Sequence, residues 1–362
     1  MTGTRALVAM SGGVDSSVAA LQMLEAGYDC IGVTMKLYDP KDLGLCSAGT
    51  CGALDDAEDA KAVANRLGME HQVLDFSHRF REAVIDPFVR AYETGATPNP
   101  CVDCNRQLKF GQLLAQARDL ERDIIATGHY ARVFWDEDRQ RWLLLRALDR
   151  TKDQSYVLWT LTQEQLAHTR FPLGELTKDQ VRSMAEAKGF DNAQKHDSQD
   201  ICFVPDGDYA QFICKTTGQT YPAGEFVDQQ GTVLGRHRGI IHYTVGQRKG
   251  LGIALGWPAY VGAIDPARNQ VVLCRDADLF QRTVIAEAVN LIGVSSLEAP
   301  LRVTAKIRYR HQEQPAEAVV LPSGHLQVTF DEPQRAITRG QSVVLYQGNE
   351  VLGGGIILRG ED

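Results

Sequence analysis

Apolar residues in the first 130 positions fall into short runs separated by helix-forming stretches. Arg5-Ala6-Leu7-Val8-Ala9-Met10 is long enough for one buried strand and too short for a helix. Ser11-Gly12-Gly13-Val14-Asp15-Ser16-Ser17 follows at once, and Val18-Ala19-Ala20-Leu21-Gln22-Met23-Leu24 continues with helix formers. Residues 30–38 read as a second buried strand. Residues 55–68 give an amphipathic helix, with Ala57, Ala60, Val63, Ala64 and Leu67 on one face and Gly68 as its stop. Residues 71–76 make a third strand, followed by a helix through Phe80, Val84, Phe88 and Val89; residues 124–130 make a fourth strand, ending in Gly128 and His129. This alternation predicts an α/β fold with a doubly wound parallel sheet, whose ligands sit at the carboxyl ends of the strands. Residues 12–17, Met35 and residues 128–129 all lie at such ends and are expected to meet one nucleotide.

Residues 142–146 and the polar turn 149–156 come next, then a helix over 181–188. Beyond about Val204 the helical period fades. Short alternating strands replace it at 239–242, 259–264, 270–274, 301–309, 316–321, 326–330, 342–346 and 351–358. These predict a small central β-rich domain and a C-terminal β-barrel. The expected division is 1–204, 205–278 and 279–362, with no internal repeat.

Composition narrows the class. At 362 residues, 44% hydrophobic and 23% charged, the chain reads as a soluble protein of two or three domains. No apolar run reaches the length of a membrane span and the first residues are no signal peptide, so a cytoplasmic location is expected. A net charge of −8 argues against a uniform nucleic-acid coat, but its distribution matters more than the sum. No acidic residue lies between Asp228 and Asp265, while Arg236, Arg238, Arg248 and Lys249 do; Arg302, Lys306, Arg308 and Arg310, with Tyr309 among them, form a second cluster. Each cluster is either a solvated face or a local polyanion site.

Two adjacent glycines between strand and helix let the backbone pass closely under a ligand, and the Ser/Asp cluster offers hydroxyls and a helix N-cap. Backbone N–H groups at such a helix start form an anion site, for which pyrophosphate is the natural guest. No Gly-Lys-Ser/Thr follows, so this is not the Walker form. The stretch resembles the PP-loop of the ATP pyrophosphatases, which adenylate a substrate oxygen and release pyrophosphate.

Eight cysteines in a cytoplasmic setting point to thiols, catalysis or metal rather than a disulfide framework. Cys30, Cys214 and Cys274 read as small buried hydrophobes. Cys46 and Cys51 sit in a loop that lacks the remaining ligands of a zinc site. In Thr97-Pro98-Asn99-Pro100-Cys101-Val102-Asp103-Cys104-Asn105-Arg106 the prolines hold an extended approach to a helix. Cys104 is expected near the helix N-terminus, with Arg106 and Lys109 favouring its thiolate; the alternative is an inert structural pair. Asp197-Ser198-Gln199-Asp200-Ile201-Cys202-Phe203-Val204 reads as a polar loop entering an apolar strand.

The PP-loop, Asn99–Asn105 and Ser198–Phe203 motifs, in this order, closely resemble the tRNA-specific 2-thiouridylases, and the resemblance runs nearly to the C-terminus. It includes Met35-Lys36-Leu37-Tyr38, Thr127-Gly128-His129-Tyr130, Lys152-Asp153-Gln154-Ser155-Tyr156, His242-Tyr243-Thr244-Val245-Gly246-Gln247-Arg248 and Arg308-Tyr309-Arg310. The resemblance implies an adenine nucleotide alpha hydrolase-like fold and replacement of the C2 oxygen of the wobble uridine by sulfur. It implies ATP and Mg²⁺ as cofactors, and tRNA and a sulfur-donor protein as partners. By matching positions, Ala9, Met10, Ser11, Gly12, Gly13, Val14, Asp15, Ser16, Met35 and Gly128 hold ATP, Cys104 is the nucleophile and Cys202 carries the persulfide. Asn99, Pro100, Cys101, His129, Lys152, Asp153, Gln154, Arg308, Tyr309 and Gln341 match positions that meet tRNA. The best-described members carry Asp where this chain has Cys101 and others carry Cys, so a role given to that carboxylate does not transfer.

Three alternatives stay open at this point. Cys101, Cys104 and Cys202 could together ligate an iron–sulfur cluster whose open iron holds the transferred sulfur, a reading less favoured than the persulfide. A PP-loop ligase acting on a carboxylate or amide acceptor needs no paired cysteines. An ATP-responsive RNA-binding protein would leave nucleosides unchanged.

Overall fold

The computed structural model describes residues 3–39, 52–195 and 201–361; Cys46, Cys51 and residues 197–200 lie outside the described residues. The chain forms two compact units, one of residues 1–84, 101–199 and 348–352 and the other of residues 85–100, 200–347 and 353–362.

The first unit is built on strands β1 (Arg5–Ala9), β2 (Asp29–Lys36), β3 (Glu70–Asp75) and β4 (Ile124–Thr127). With the short β7 (Thr169–Arg170) they order β3-β2-β1-β4-β7, every pair parallel. β1 reads Ala-Leu-Val at its centre because it is covered on both faces; Ala6, Leu7 and Val8 are fully buried. Helix α1 (Val14–Glu25) packs Val14, Val18 and Leu21 into a core shared with Val181, Ala185 and Phe190. Helix α2 (Gly52–Arg66) adds Ala60, Val63 and Ala64, and Gly68 closes the turn beyond it at φ +69°. Strand order reverses between β1 and β4, so their carboxyl ends open the crevice in which doubly wound sheets bind ligands.

Residues 142–146 do not join this sheet. β5 (Ala131–Asp136) and β6 (Arg141–Arg146) form an antiparallel hairpin that also pairs Leu144 and Leu145 with Val351 and Glu350.

In the second unit, β8 (Gly224–Val227), β9 (Val233–His237), β10 (Tyr260–Asp265) and β11 (Gln270–Cys274) form a four-stranded sheet. β12 (Phe280–Leu291), β13 (Leu301–Lys306), β14 (Gln314–Val320), β15 (Leu326–Arg335), β16 (Ser342–Gln347) and β17 (Glu350–Glu361) order β12-β15-β14-β13-β16-β17. Pairing of β12 with β17 closes this sheet into the expected barrel, which removes its edges.

Three sequence readings are corrected here. Residues 239–242 form a 3₁₀ turn (Ile240–His242) entered through Gly239 at φ +119°, not a strand. Residues 201–204 form a turn whose apolar side chains fill the core, since Phe203 meets Phe88 at 5.3 Å and Phe212 at 5.1 Å. Helical structure persists past Val204 in Tyr209–Thr217, capped by Asp208 and stopped by Gly218 at φ +67°. Cys30 and Cys274 are buried as expected, whereas Cys214 is only half-buried.

His311 ends the basic turn after β13. Burial, then Arg308 and Lys306, push its imidazole down to about 4 from an ordinary 6.5. Its buried Nδ1 has no partner among the described residues. The unfolded chain therefore takes up this proton first, and folding stability falls between about pH 6.5 and about 4. His311→Gln is expected to flatten that fall, read as the thermal midpoint against pH.

Candidate active site

The loop after β1 is held open by its own hydroxyls. Ser11 donates its N–H to Ser16 Oγ (3.1 Å), Ser16 Oγ donates to the Gly13 carbonyl (2.9 Å), and Ser17 Oγ donates to the same carbonyl (3.1 Å). The N-cap of α1 is Gly13 itself, with no side-chain cap, contrary to the expected Ser/Asp cap. No N-cap side chain therefore takes up the first-turn N–H groups of α1, a helix start of the kind that suits an anion. Gly12 (φ +74°) tolerates its left-handed backbone, and a Cβ there would collide with the Asp56 carbonyl.

Gly128, at the end of β4, closes the other side of the crevice. A Cβ at Gly128 would lie 2.9 Å from the Asp15 carbonyl carbon and the Ser16 nitrogen. Gly128→Ala is expected to weaken ATP binding by about tenfold or more, because the new methyl displaces the loop backbone rather than a flexible side chain. Equilibrium dialysis with ATP checks this, with circular dichroism confirming the fold. Met35 stands near the carboxyl end of β2, and the Met10 N–H donates to the Val33 carbonyl at 2.8 Å. Ala9, Met10, Ser11, Gly12, Gly13, Val14, Asp15, Ser16, Met35 and Gly128 are therefore gathered at the carboxyl ends of β1, β2 and β4.

Sequence reasoning missed the residues that brace this loop. Asp15 Oδ1 accepts from Lys178 Nζ and from the Tyr130 hydroxyl, each at 2.7 Å. Asn192 Nδ2 donates to the Gly12 carbonyl and to Ser17 Oγ, each at 2.9 Å, and its buried Oδ1 has no partner among the described residues. Lys178 opens a helix (Lys178–Ala187) whose Thr177–Gln180 capping box is legible in sequence, but only the fold turns its ammonium toward Asp15.

Lys152, Asp153 and Gln154 sit on a braced turn. Asp153 accepts from the Ala147 N–H (3.0 Å) and Ser155 Oγ (2.8 Å), while Gln154 binds both backbone groups of Tyr130. This turn is thereby tied through Tyr130 to Asp15. His129, matched by sequence to a tRNA-facing position, is buried here. It is 8% exposed, bonded through Nδ1 to Thr127 Oγ1 (2.7 Å) and packed on Phe110 and Phe171. Burial, reinforced by Lys109, holds its imidazole neutral, well below the usual range.

The cysteine helix begins at Pro100, one turn earlier than the thiolate reading requires. Residues 100–103 form its first turn and run into a π-helical stretch, Cys104–Gln112. Cys101 occupies the first turn and is exposed; Cys104 lies in the second turn, half-buried. Burial pushes the Cys104 thiol up, and Lys109 only partly opposes this. Arg106 is committed to Asp103 at 3.0 Å. The expectation that both cations favour the thiolate is corrected: Lys109 alone does so, against a larger burial cost. Asn105 is buried and donates to the Val157 carbonyl, anchoring the helix beside Cys104.

Elsewhere, in the second unit, Cys202 is exposed beside the anchored Phe203. There too the Thr97 segment leading to Asn99 and Pro100 is clamped. The Thr97 N–H donates to the Arg339 carbonyl and Gln341 Nε2 donates to the Thr97 carbonyl, each at 2.8 Å. Arg308 donates to the Arg335 carbonyl, and Lys306 lies 6.0 Å from the ring of the exposed Tyr309.

Residues 4–206 match the tRNA methyl transferase HUP domain, 210–275 the tRNA methyl transferase PRC-barrel domain and 281–357 the aminomethyltransferase beta-barrel domain. The chain is 48% identical over 353 residues to tRNA-specific 2-thiouridylase MnmA of Clostridioides difficile (strain 630), covering 98% of each. The chain belongs to the tRNA-specific 2-thiouridylase family. Identity reaches 49% with the relative from Acetivibrio thermocellus, over 99% of this chain and 100% of the relative. With that from Moorella thermoacetica it is 51%, over 97% and 98%. Family membership establishes an enzyme with a parallel-sheet HUP domain, a PRC-barrel and a C-terminal β-barrel.

Among the described residues there is no group of three or more His, Cys, Asp or Glu side chains that could hold a metal ion. No helix among them is long and apolar enough to cross a membrane.

Proposed function

We propose that this enzyme converts the C2 oxygen of the wobble uridine of tRNA to sulfur, consuming ATP and releasing AMP and pyrophosphate. The observation that carries the reading is the uncapped start of α1, with its orphan N–H groups facing the crevice between β1 and β4 and Gly128 too close to admit a methyl. This is a nest for polyphosphate. Mg²⁺, where bound, would be held mainly by phosphate and water with Asp15 nearby, and supplies charge neutralisation on the leaving pyrophosphate.

A uridine C2 carbonyl is a poor electrophile, and its oxygen is a poor leaving group. Attack of that oxygen on the α-phosphate breaks the bond to the β-phosphate, and turns the oxygen into part of an AMP leaving group. Cys202 carries a persulfide received from a sulfur-donor protein. The Cys104 thiolate attacks the inner sulfur, forming a Cys104–Cys202 disulfide and releasing hydrosulfide. Hydrosulfide adds at C2 and AMP departs with the oxygen. A two-electron thiol reductant then restores both cysteines. The target base is flipped out of the anticodon stack to be reached. Asn99, Pro100 and Cys101 receive it, and Lys152, Arg308 and Tyr309 contact the RNA. Asp153, Gln154 and Gln341 shape these contacts through the backbone bonds described above. We place the enzyme in the cytoplasm, where tRNA, ATP and thiol reductants are together available.

The test is incubation of purified enzyme with unmodified tRNA, ATP, Mg²⁺ and a persulfide donor, followed by mass analysis of nucleosides. One 2-thiouridine per tRNA and one AMP per sulfur are expected. AMP formation with a small carboxylate acceptor and no tRNA would favour a ligase, and RNA binding with unchanged nucleosides would leave only a binding protein.

A further inference from the structure

The two basic segments are linked in the second unit through Tyr260 and Arg335. The Arg248 guanidinium lies 5.9 Å from the ring centre of Tyr260, and that of Arg335 lies 5.1 Å from the same ring. Arg335 in turn accepts, through its carbonyl, a bond from Arg308. Gly246, at φ +86°, brings the 246–260 loop against Ala336, so close that a Cβ there would meet the alanine methyl at 2.7 Å. Arg248, Tyr260, Arg335 and Arg308 thus form one continuous cationic and aromatic stripe.

Charge compensation along this stripe is uneven. Arg335 is paired with Asp276 at 2.9 Å, and Arg302, which sequence grouped with Arg308, is neutralised by a two-pronged bond to Asp331. Arg248 and Lys249 are exposed, and among the described residues neither has a carboxylate partner. Beside them the loop encloses an open groove of about 510 Å³, walled by Gly250, Gly252, Ile253 and Trp257. The Arg275 guanidinium lies 5.1 Å from the Trp257 ring. Glycines at φ +76° and +70° (Gly250, Gly252) leave their part of the groove wall without side chains, which there admits a backbone close to the main chain.

Resting on the proposed tRNA reaction, we infer that Arg248, Lys249 and this groove bind the sugar–phosphate backbone of the tRNA away from the target base, extending the Arg308 contact into the central domain. Two exposed cations without a carboxylate partner among the described residues, beside a groove that offers the Trp257 ring and a glycine main chain, complement a polyanionic strand with stacking groups.

The test measures tRNA affinity against salt for the full-length enzyme and for the double variant Arg248→Ala/Lys249→Ala, whose exposed side chains leave the core untouched. At low salt the double variant is expected to bind about tenfold more weakly, and the slope of log K against log salt to fall by about 1.4–1.8, the loss of two phosphate contacts. Arg248→Lys alone should keep the slope. ATP affinity, read without tRNA, should match the parent. Unchanged tRNA affinity and slope in the double variant, with the parent binding tRNA and forming 2-thiouridine, would overturn this inference alone. A parent enzyme that does not bind tRNA would overturn the reaction and the inference together.

Discussion

Cys104→Ser and Cys202→Ser are each expected to lower 2-thiouridine formation on the order of a thousandfold or more, because each removes a sulfur that the proposed transfer uses. ATP conversion to AMP should persist in both, at least for a first turnover, since neither thiol lies in the PP-loop. Cys101→Ser should keep most of the activity, because in the proposed mechanism its exposed thiol is not one of the two that exchange sulfur. Nucleoside mass analysis separates these outcomes, and a Cys101 variant as inactive as the other two would reopen the three-thiolate reading. The burial that pushes the Cys104 thiol up gives the reaction a pH limb as well. Thiolate is the attacking form, so the single-turnover rate should rise with pH through the alkaline range. Lys109 favours that thiolate, so Lys109→Gln should move the limb to higher pH.

The second large effect concerns the PP-loop. Asp15→Ala should abolish AMP formation, and the structure adds a cost that the motif does not display. Lys178, its side chain 9% exposed, loses the Asp15 carboxylate that it meets at 2.7 Å. Asp15 is 31% exposed, so solvent screens part of the loss. A destabilisation of about 1–3 kcal/mol is expected, less than the figure for a fully buried broken pair. Combining Asp15→Asn with Lys178→Met should recover much of the thermal midpoint, because the ammonium that faced the Asp15 carboxylate is gone, while leaving ATP turnover absent. Ser16→Ala should cost little stability and still impair turnover, since its hydroxyl organises the loop through Ser11 and Gly13. Normal AMP formation by a folded Asp15→Asn variant would remove the phosphate assignment.

Local pattern determined most of the catalytic domain. The runs that form β1 to β4, the alternation with helices and the strand-to-helix glycines are near-neighbour features, and buried parallel strands are written as continuous apolar stretches. The same applies to the antiparallel barrel strands, whose alternation marks one wet face. Sequence alone overextended the strands at 30–38 and 124–130, which stop at Lys36 and Thr127 where the chain turns to line the crevice. It also missed β12, whose alternation of buried and exposed positions is broken by register shifts in its pairing with β15 and β17.

What only the tertiary structure decided is the set of partners. Lys178 and Asn192 stand more than 160 positions from Asp15 and Gly12, and no spacing rule links a helix-capping lysine to a distant carboxylate. His129 looked like a ligand beside a glycine, yet its ring is held between Phe110 and Phe171, a core position set by packing. Cys104 carried every sequence sign of an activated thiol, but desolvation depends on the volume of protein gathered around it and outweighs the one cation that remains free to help. Charge along the chain shows where cations are; only folding shows which of them, like Arg302, are paired with a carboxylate and which, like Arg248 and Lys249, have none among the described residues.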